Sequence, residues 1–334
     1  MTPAQPATGG REPPVRVVTR DNGAGLKRDL EQVEHSLRDH GIAVRPLAFG
    51  GNRLFNSLRE HALVLAARAR GPAEVQLFLE RVYPRLLPLA RRNLLVPNPE
   101  WTRPEWLPLL PRFDAVLCKT RQGERAFAAL GCRTVLIGFS SRDCFDPDVP
   151  RQRRFLHLAG RSTAKGTGAV VEAWRRHPEW PPLTLVQSAR RTRPITDLPN
   201  LDHRVGYLPD AELLRLQNAC TFHLCPSEAE GFGHYIVEAL STGAVVIGTD
   251  GEPMNELVQP DRGLLVAPLD CRPMGQGLRY RIDAGGIEAA VERALALSEA
   301  ERQRLGAAAR AFYLANDRDF GQRLAHAVRG PDPA

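Results

Sequence analysis

No run of this sequence approaches the length of a membrane span. Its start, Met1 to Pro14, lacks the apolar core of a signal peptide and reads as a disordered tail. Six cysteines (Cys118, Cys132, Cys144, Cys220, Cys225 and Cys271) are scattered without metal-ligand spacing. Cys220 and Cys225 flank or sit in an apolar strand and read as small core residues. Together these absences point to a reducing cytoplasm. The Gly-Lys-Ser/Thr order of a P-loop is missing, and so is the third glycine of a dinucleotide fingerprint. There is no low-complexity segment outside the termini, and no internal repeat beyond two similar α/β halves.

What the chain does have is length, arginine and proline. Its 334 residues suffice for two domains with full cores. The net charge is +7 and uneven. Residues 1–150 hold 22 Lys and Arg against 16 Asp and Glu; residues 151–334 hold 23 against 22. An arginine-rich solvated surface accounts for this. So does an anionic acceptor, or an anionic membrane surface that the chain meets as a peripheral protein on its inner face. Nucleic acid is not expected, because no recognition motif or aromatic interleaving accompanies the charge.

The most informative stretch runs from Pro226 to Leu240, Pro-Ser-Glu-Ala-Glu-Gly-Phe-Gly-His-Tyr-Ile-Val-Glu-Ala-Leu. Before it, Thr221 to Cys225 reads as a buried strand. After it, Tyr235 to Thr242 has helical spacing and stops at Gly243, and Ala244 to Asp250 reads as another strand. This is one strand, loop, helix, strand unit of a parallel α/β sheet. Gly231 and Gly233 let a ligand approach the main chain. The following helix directs free N–H groups at whatever lies in front of it. Glu230 in the loop and Glu238 about one turn into the helix can accept hydrogen bonds from vicinal hydroxyls, so the site suits sugars.

Glu230 to Val246 closely resembles the signature of the family 4 retaining glycosyltransferases, which have the GT-B fold. The resemblance implies that Glu230 faces the donor sugar and that Glu238 holds the nucleotide ribose. It implies that the N–H groups after Phe232-Gly233 hold sugar hydroxyls. His234 departs from the family, where many members carry an apolar residue; local packing and a sugar or phosphate contact both stay open for it. Met254 to Val258 and Arg262 to Val266 also match the family's run, with Glu256 expected to cap or brace the donor loop. Gly206-Tyr207-Leu208-Pro209 matches a turn that in the family lies along the nucleobase.

A second site lies at the start of the second domain. Arg154 to Ala159 reads as a strand that leads into Gly160-Arg161-Ser162-Thr163-Ala164-Lys165-Gly166 and then a helix. Cations at a strand end, before a helix N-terminus, make an anion site. This resembles the family's Gly-Arg…Lys-Gly loop, one residue shorter than usual, whose two cations hold the donor diphosphate.

In the first half, Val15 to Thr19 reads as a strand, and Asp21 to Leu26 as a glycine turn before a helix that ends at His40-Gly41. Gly23 and Gly25 make a tight turn or touch ligand; the resemblance sets this loop against the donor diphosphate and acceptor. Leu54 to Arg70 reads as a helix with a basic face, able to lie on a membrane, although apolar residues at this spacing more often face a core. Arg85 to Arg92 reads as helical or irregular, and Leu94 to Val96 as a short strand. Next comes Pro97-Asn98-Pro99-Glu100-Trp101, at a strand's carboxyl end, where such sheets bind ligands. Asn98, Glu100 and Trp101 are acceptor-site candidates; the alternative is a proline-fixed turn with Trp101 as a packing anchor. The family's histidine of this region has no counterpart. Asp146-Pro147-Asp148 reads as linker, not as a metal triplet.

The expected architecture is therefore GT-B, with two facing Rossmann-like domains over residues 15–145 and 146–310. A last helix within 311–334 packs back on the first. The expected reaction moves a hexose-type sugar, with retention, from a nucleotide diphosphate sugar to a glycan, lipid-linked or small-molecule acceptor. This suits bacterial-type polysaccharide or glycoconjugate biosynthesis. Arg161, Lys165 and Glu230 carry the chemistry. Gly23, Gly25, Tyr207, Leu208, Phe232, Gly233, His234 and Glu238 bind the donor, and no metal or other cofactor is expected. The rivals are a glycan phosphorylase, a nucleotide-sugar epimerase, or a non-catalytic nucleotide-sugar-binding partner.

Overall fold

The computed structural model describes residues 13–20, 25–189 and 192–330. Its first sheet is built from β1 (Val15–Arg20), β2 (Val44–Phe49), β3 (Ala73–Leu79), β4 (Ala90–Val96), β5 (Ala115–Cys118) and β6 (Thr134–Leu136). The order is β2-β1-β3-β4-β5-β6, all parallel. Helices α1 (Gly25–Asp39), α2 (Arg53–Arg70) and α3 (Arg121–Ala129) make three of the crossovers, and 3-10 segments within residues 84–112 make the other two. Parallel strands buried on both faces read as continuous apolar runs, and Leu77-Phe78-Leu79 and Leu94-Leu95-Val96 are such runs.

The second sheet comprises β7 (Gln152–Gly160), β8 (Leu183–Gln187), β9 (Leu201–Val205), β10 (Cys220–Cys225), β11 (Val245–Thr249) and β12 (Gly263–Val266). It is also parallel, in the order β12-β11-β10-β7-β8-β9. Its helices are α4 (Thr167–Arg176), α5 (Asp210–Ala219), α6 (His234–Ser241) and the short α7 (Met254–Leu257). A hairpin of β13 (Asp270–Met274) and β14 (Gly277–Arg281) follows, then α8 (Ala284–Ala296) and α9 (Glu299–Arg329). The two parallel α/β sheets expected from the sequence are thus present.

One apolar cluster joins the two halves. It runs from Val17, Leu77 and Leu117 of the first sheet through Phe139 and Phe232 to Tyr313, Phe320 and Leu324 of α9. Ser298 and Glu301 form a capping box at the start of α9. The helix then lies so close to the Gly243 carbonyl that a Cβ at Gly306 would stand 2.3 Å from it. At its far end Arg92 donates to the carbonyls of Ala327 and Val328.

Three details differ from the sequence reading. β4 starts at Ala90, because Pro84–Leu89 forms a 3-10 segment that ends before it. β9 and the β13–β14 hairpin were not anticipated: β9 pairs only with β8, and residues 270–273 of β13 are exposed, so neither carries a long apolar run. Helix α2 packs Leu63, Val64 and Ala67 on the core, but Leu54, Phe55, Leu58 and Leu65 on its other side are 63–74% exposed. Its apolar residues do not all face a core.

Candidate active site

Both sheets present the carboxyl ends of their strands to a cleft between them, where open α/β sheets bind ligands. In the second sheet, β7 and β10 lie side by side with their connections leaving in opposite directions. The loop after β7 carries Arg161 and Lys165. Gly166 closes this loop with φ 65°, and a Cβ there would come within 2.5 Å of the Pro226 carbonyl. Only glycine lets the two loops lie flush. Lys165 is ion-paired to Glu230, and its ammonium sits 3.5 Å from the centroid of the Tyr235 ring. Ser227 donates to the same Glu230 oxygen and exchanges a hydrogen bond with the Tyr235 hydroxyl. The two residues expected to hold different parts of a donor therefore hold one another.

Gly233, with φ 109°, is the N-cap of α6, and the first turn of that helix lines the cleft with His234 and Tyr235. Glu238 lies in the second turn, buried to 8% exposure, 3.5 Å from Arg28 of α1. Phe232 packs edge-on against Phe139.

The facing wall comes from the first sheet. Asp29 of α1, Glu80 after β3, Asn98 and Glu100 after β4, and Lys119 after β5 all line the cleft. Lys119 donates to Asp29 at 2.6 Å and to Asn98 at 3.0 Å, and Asn98 donates to Glu80 at 2.7 Å. The His234 ring joins Asp29 and Ser141, each at 2.6 Å. Burial opposes the Asp29 charge, but Lys119 and His234 overcome it and hold its carboxyl well below the usual carboxylate range. Glu80 is the one non-glycine residue with positive φ, 62°, among those described. Burial pushes its carboxyl up, and burial pushes Glu100 up to about 8.

The cleft, about 450 Å³, brings together Arg161, Lys165, Glu230, Phe232, Gly233, His234 and Glu238 with Asn98, Glu100 and Trp101. Trp101 is 57% exposed on its wall, so it is not a packing anchor. Tyr207 and Leu208 do not line the cleft; Tyr207 is 85% exposed and donates to Asp210. Gly25 begins α1, and Gly23 lies outside the described residues. Glu256 does not brace the donor loop: its carboxylate accepts from the N–H groups of Arg121 and Gln122 and caps α3 in the other half. Asp146 accepts from the Asp148 N–H in a turn away from the cleft.

Arg28, Asp29 and Glu80 escaped the sequence reading. One compositional signal was present. The chain has three lysines, Lys27, Lys119 and Lys165, and two of them line this cleft. A second cavity of about 460 Å³, at the amino ends of β10 and β11, is rich in arginine. There Arg151, Arg153, Arg302 and Arg310 all donate to backbone carbonyls.

Comparison with known proteins bears on the fold and on the second half. Residues 200–311, which include the Glu230–Glu238 segment, match the family model "Glycosyl transferases group 1". No curated protein sequence matches the chain. Among solved structures, sucrose-phosphate synthase from Thermosynechococcus elongatus aligns with a TM-score of 0.72 at 17% identity, over 95% of this chain and 98% of that one. Anabaena HepE, solved with UDP and glucose, aligns at 0.66 and 16% identity over 94% and 99%. An E. coli structure described as trehalose-6-phosphate, bound with UDP-2-fluoro glucose, aligns at 0.68 and 12% over 96% and 100%. The chain is a glycosyltransferase with the GT-B fold, and its second half carries a glycosyl transferases group 1 domain.

Proposed function

We propose that this enzyme transfers a hexose-type sugar, with retention of configuration, from a nucleoside diphosphate sugar to a hydroxyl of a glycan, lipid-linked or small-molecule acceptor. The observation that carries the reading is the convergence of Arg161, Lys165, Glu230 and Glu238 on one cleft between the sheets. The neighbours solved with UDP and glucose or with UDP-2-fluoro glucose favour a uridine diphosphate hexose as donor. In the reaction the bond from the anomeric carbon to the diphosphate oxygen breaks, and the acceptor oxygen bonds to that carbon on the same face. The acceptor proton passes to the departing phosphate. Arg161, Lys165 and the first turn of α6 stabilise the charge on the leaving group, so no divalent ion is required. Glu230 orients the sugar and Glu238 the ribose.

A thermal-shift screen against nucleotide sugars tests this. UDP-glucose is expected to raise the melting temperature. Glu238→Gln, which keeps shape but loses charge, is expected to weaken that donor by about 1–3 kcal/mol, roughly 5- to 150-fold. Transfer is expected to continue in excess EDTA. No response to any nucleotide sugar would remove the reading, an unchanged affinity would remove Glu238 from the site, and EDTA inhibition reversed by magnesium or manganese would remove metal independence.

The exposed side of α2 favours a peripheral membrane setting for the same enzyme. Leu54, Phe55, Leu58 and Leu65 form an apolar stripe on a helix that ends in the exposed Arg68 and Arg70. A basic amphipathic helix of this kind lies in the interface of an anionic bilayer. Among the described residues no helix is long and apolar enough to cross one. Binding to vesicles containing about one third anionic phospholipid is expected, and Phe55→Glu with Leu58→Glu is expected to reduce it at least tenfold, from the lost burial of two large side chains. Equal sedimentation of the wild type with neutral and anionic vesicles, or none with either, would sink the assignment.

A further inference from the structure

The segment Pro99–Glu100 of the first half inserts between two glycine turns of the second. On one side, a Cβ at Gly231 would fall 2.8 Å from Glu100 Oε1 and 2.7 Å from Asn98 Oδ1. On the other, a Cβ at Gly275 would fall 2.7 Å from the Glu100 carbonyl, and one at Gly277 would fall 3.4 Å from its Cβ. The Gln276 N–H donates to the Pro99 carbonyl, and Gln122 donates to the Gln276 carbonyl. At Gly275, where a Cβ would meet main-chain oxygens of both Pro99 and Glu100, only glycine admits the segment this deeply. The β13–β14 hairpin is tied in turn to the loop before Glu230, since the Tyr280 N–H donates to the Glu228 carbonyl and Arg279 pairs with the Glu228 side chain.

The carboxyl group at the tip is in a poor place for a charge. Glu100 is 9% exposed, and its Oε2 has no hydrogen-bond partner. The loop after β10 brings Glu230 near it, and the end of β3 brings Glu80. The hairpin turn offers only Gly275, Gln276 and Gly277, and α3 offers Gln122 and Gly123. Of the cleft's cations, Lys119 acts on it but is already bonded to Asp29, and Lys165 is paired with Glu230. A second carboxylate against Glu230, desolvated and with one oxygen lacking any partner, is strongly disfavoured.

We propose that Glu100 works as a neutral acid: it is a positioning residue that latches the two halves together and seats the Gly231 loop, and with it Glu230, while its ionisation loosens the latch. Burial, with Glu230 adding to it against the Glu100 N–H and Lys119, agrees by pushing the Glu100 carboxyl up to about 8. The consequence for the reaction rests on the glycosyltransferase reading; the latch itself does not.

Melting of the full chain across pH 5–9 tests the latch without any substrate. The ordinary value for this acid is 4.5, and the folded value is higher. Its stabilising effect is therefore greatest at low pH and is lost as the pH rises through the folded value. Glu100→Gln, neutral throughout, is expected to gain in melting temperature relative to wild type from pH 5 to about pH 8 and then run level. With a donor and acceptor in hand, Glu100→Gln is expected to lose the alkaline fall in kcat/KM, whereas Glu100→Ala falls at least tenfold at every pH. Parallel melting curves for wild type and Glu100→Gln would overturn the proposal, whatever the transfer assay gives. An inactive wild type with the expected melting difference would fault the transferase reading alone.

Discussion

Replacing Lys165 with methionine is expected to lower sugar transfer by about 10²–10³-fold, the usual effect of removing one preorganised group that meets developing charge in a water-poor site. The Lys165 side chain is 15% exposed and Glu230 14%, so their pairing is not a solvent-screened surface contact. Methionine keeps the stem over the Tyr235 ring and deletes only the charge. Glu230 would then stand in the cleft with Ser227 as its remaining donor, and the melting temperature should fall as well. Pairing the change with Glu230→Gln separates the two effects. The double variant is expected to regain most of the melting temperature and none of the transfer. Lys165→Arg should not restore activity either, because a planar fork does not fit where a compact ammonium sits against a ring face. Wild-type transfer by Lys165→Met, with donor saturating, would take this residue out of the chemistry.

The sequence made the second half legible because its signal is local. A strand, a glycine loop and a helix start fall within Thr221 to Thr242, and α6 begins one residue from the expected position. The backbone needs behind the pattern are present: Gly233 adopts a left-handed conformation at the N-cap, and Gly166 leaves room for a neighbouring carbonyl. The first half was legible as strands and helices, and Asn98, Glu100 and Trp101 of its cleft wall were legible too, but Arg28, Asp29 and Glu80 were not. Asp29 and His234 lie 205 positions apart, and no spacing rule links them. Glu256 was expected at the donor loop because Met254 to Val258 matches the family's run; its partners are backbone N–H groups of α3, reachable only once the halves face each other. Tyr207 shows the reverse case. A resemblance set its turn along a nucleobase through main-chain contacts, which no side-chain pattern reports; the Tyr207 side chain itself points to Asp210 and solvent. In α2 the spacing of apolar residues was right for a core helix, and only the structure shows that Leu54, Phe55, Leu58 and Leu65 are left over.

The largest loss of stability is expected from Asp29→Ala, about 3–5 kcal/mol, the range for removing one partner of a buried ion pair. Asp29 joins α1 to both halves of the cleft: Lys119 on one carboxylate oxygen, His234 on the other. The Lys119 side chain is 3% exposed and that of Asp29 5%, so water cannot take over when the carboxylate goes. Lys119 would keep Asn98 and the Phe139 ring face, 4.4 Å from its ammonium, neither of which carries charge. Neutralising both partners, as Asp29→Asn with Lys119→Met, should therefore recover much of what Asp29→Ala loses, although each single change removes a contact. The pH dependence gives an independent check. The folded-state pKa of Asp29 lies below its ordinary value of 3.8, so the carboxylate stabilises the fold above that value and the contribution is lost as the pH falls through the folded one. Denaturant unfolding at pH 7 and pH 3 should show a wide gap between wild type and Asp29→Ala at pH 7 and a smaller one at pH 3. A gap that is small at pH 7, or the same at both, would mean that the pair does not hold the α1 face of the cleft to His234.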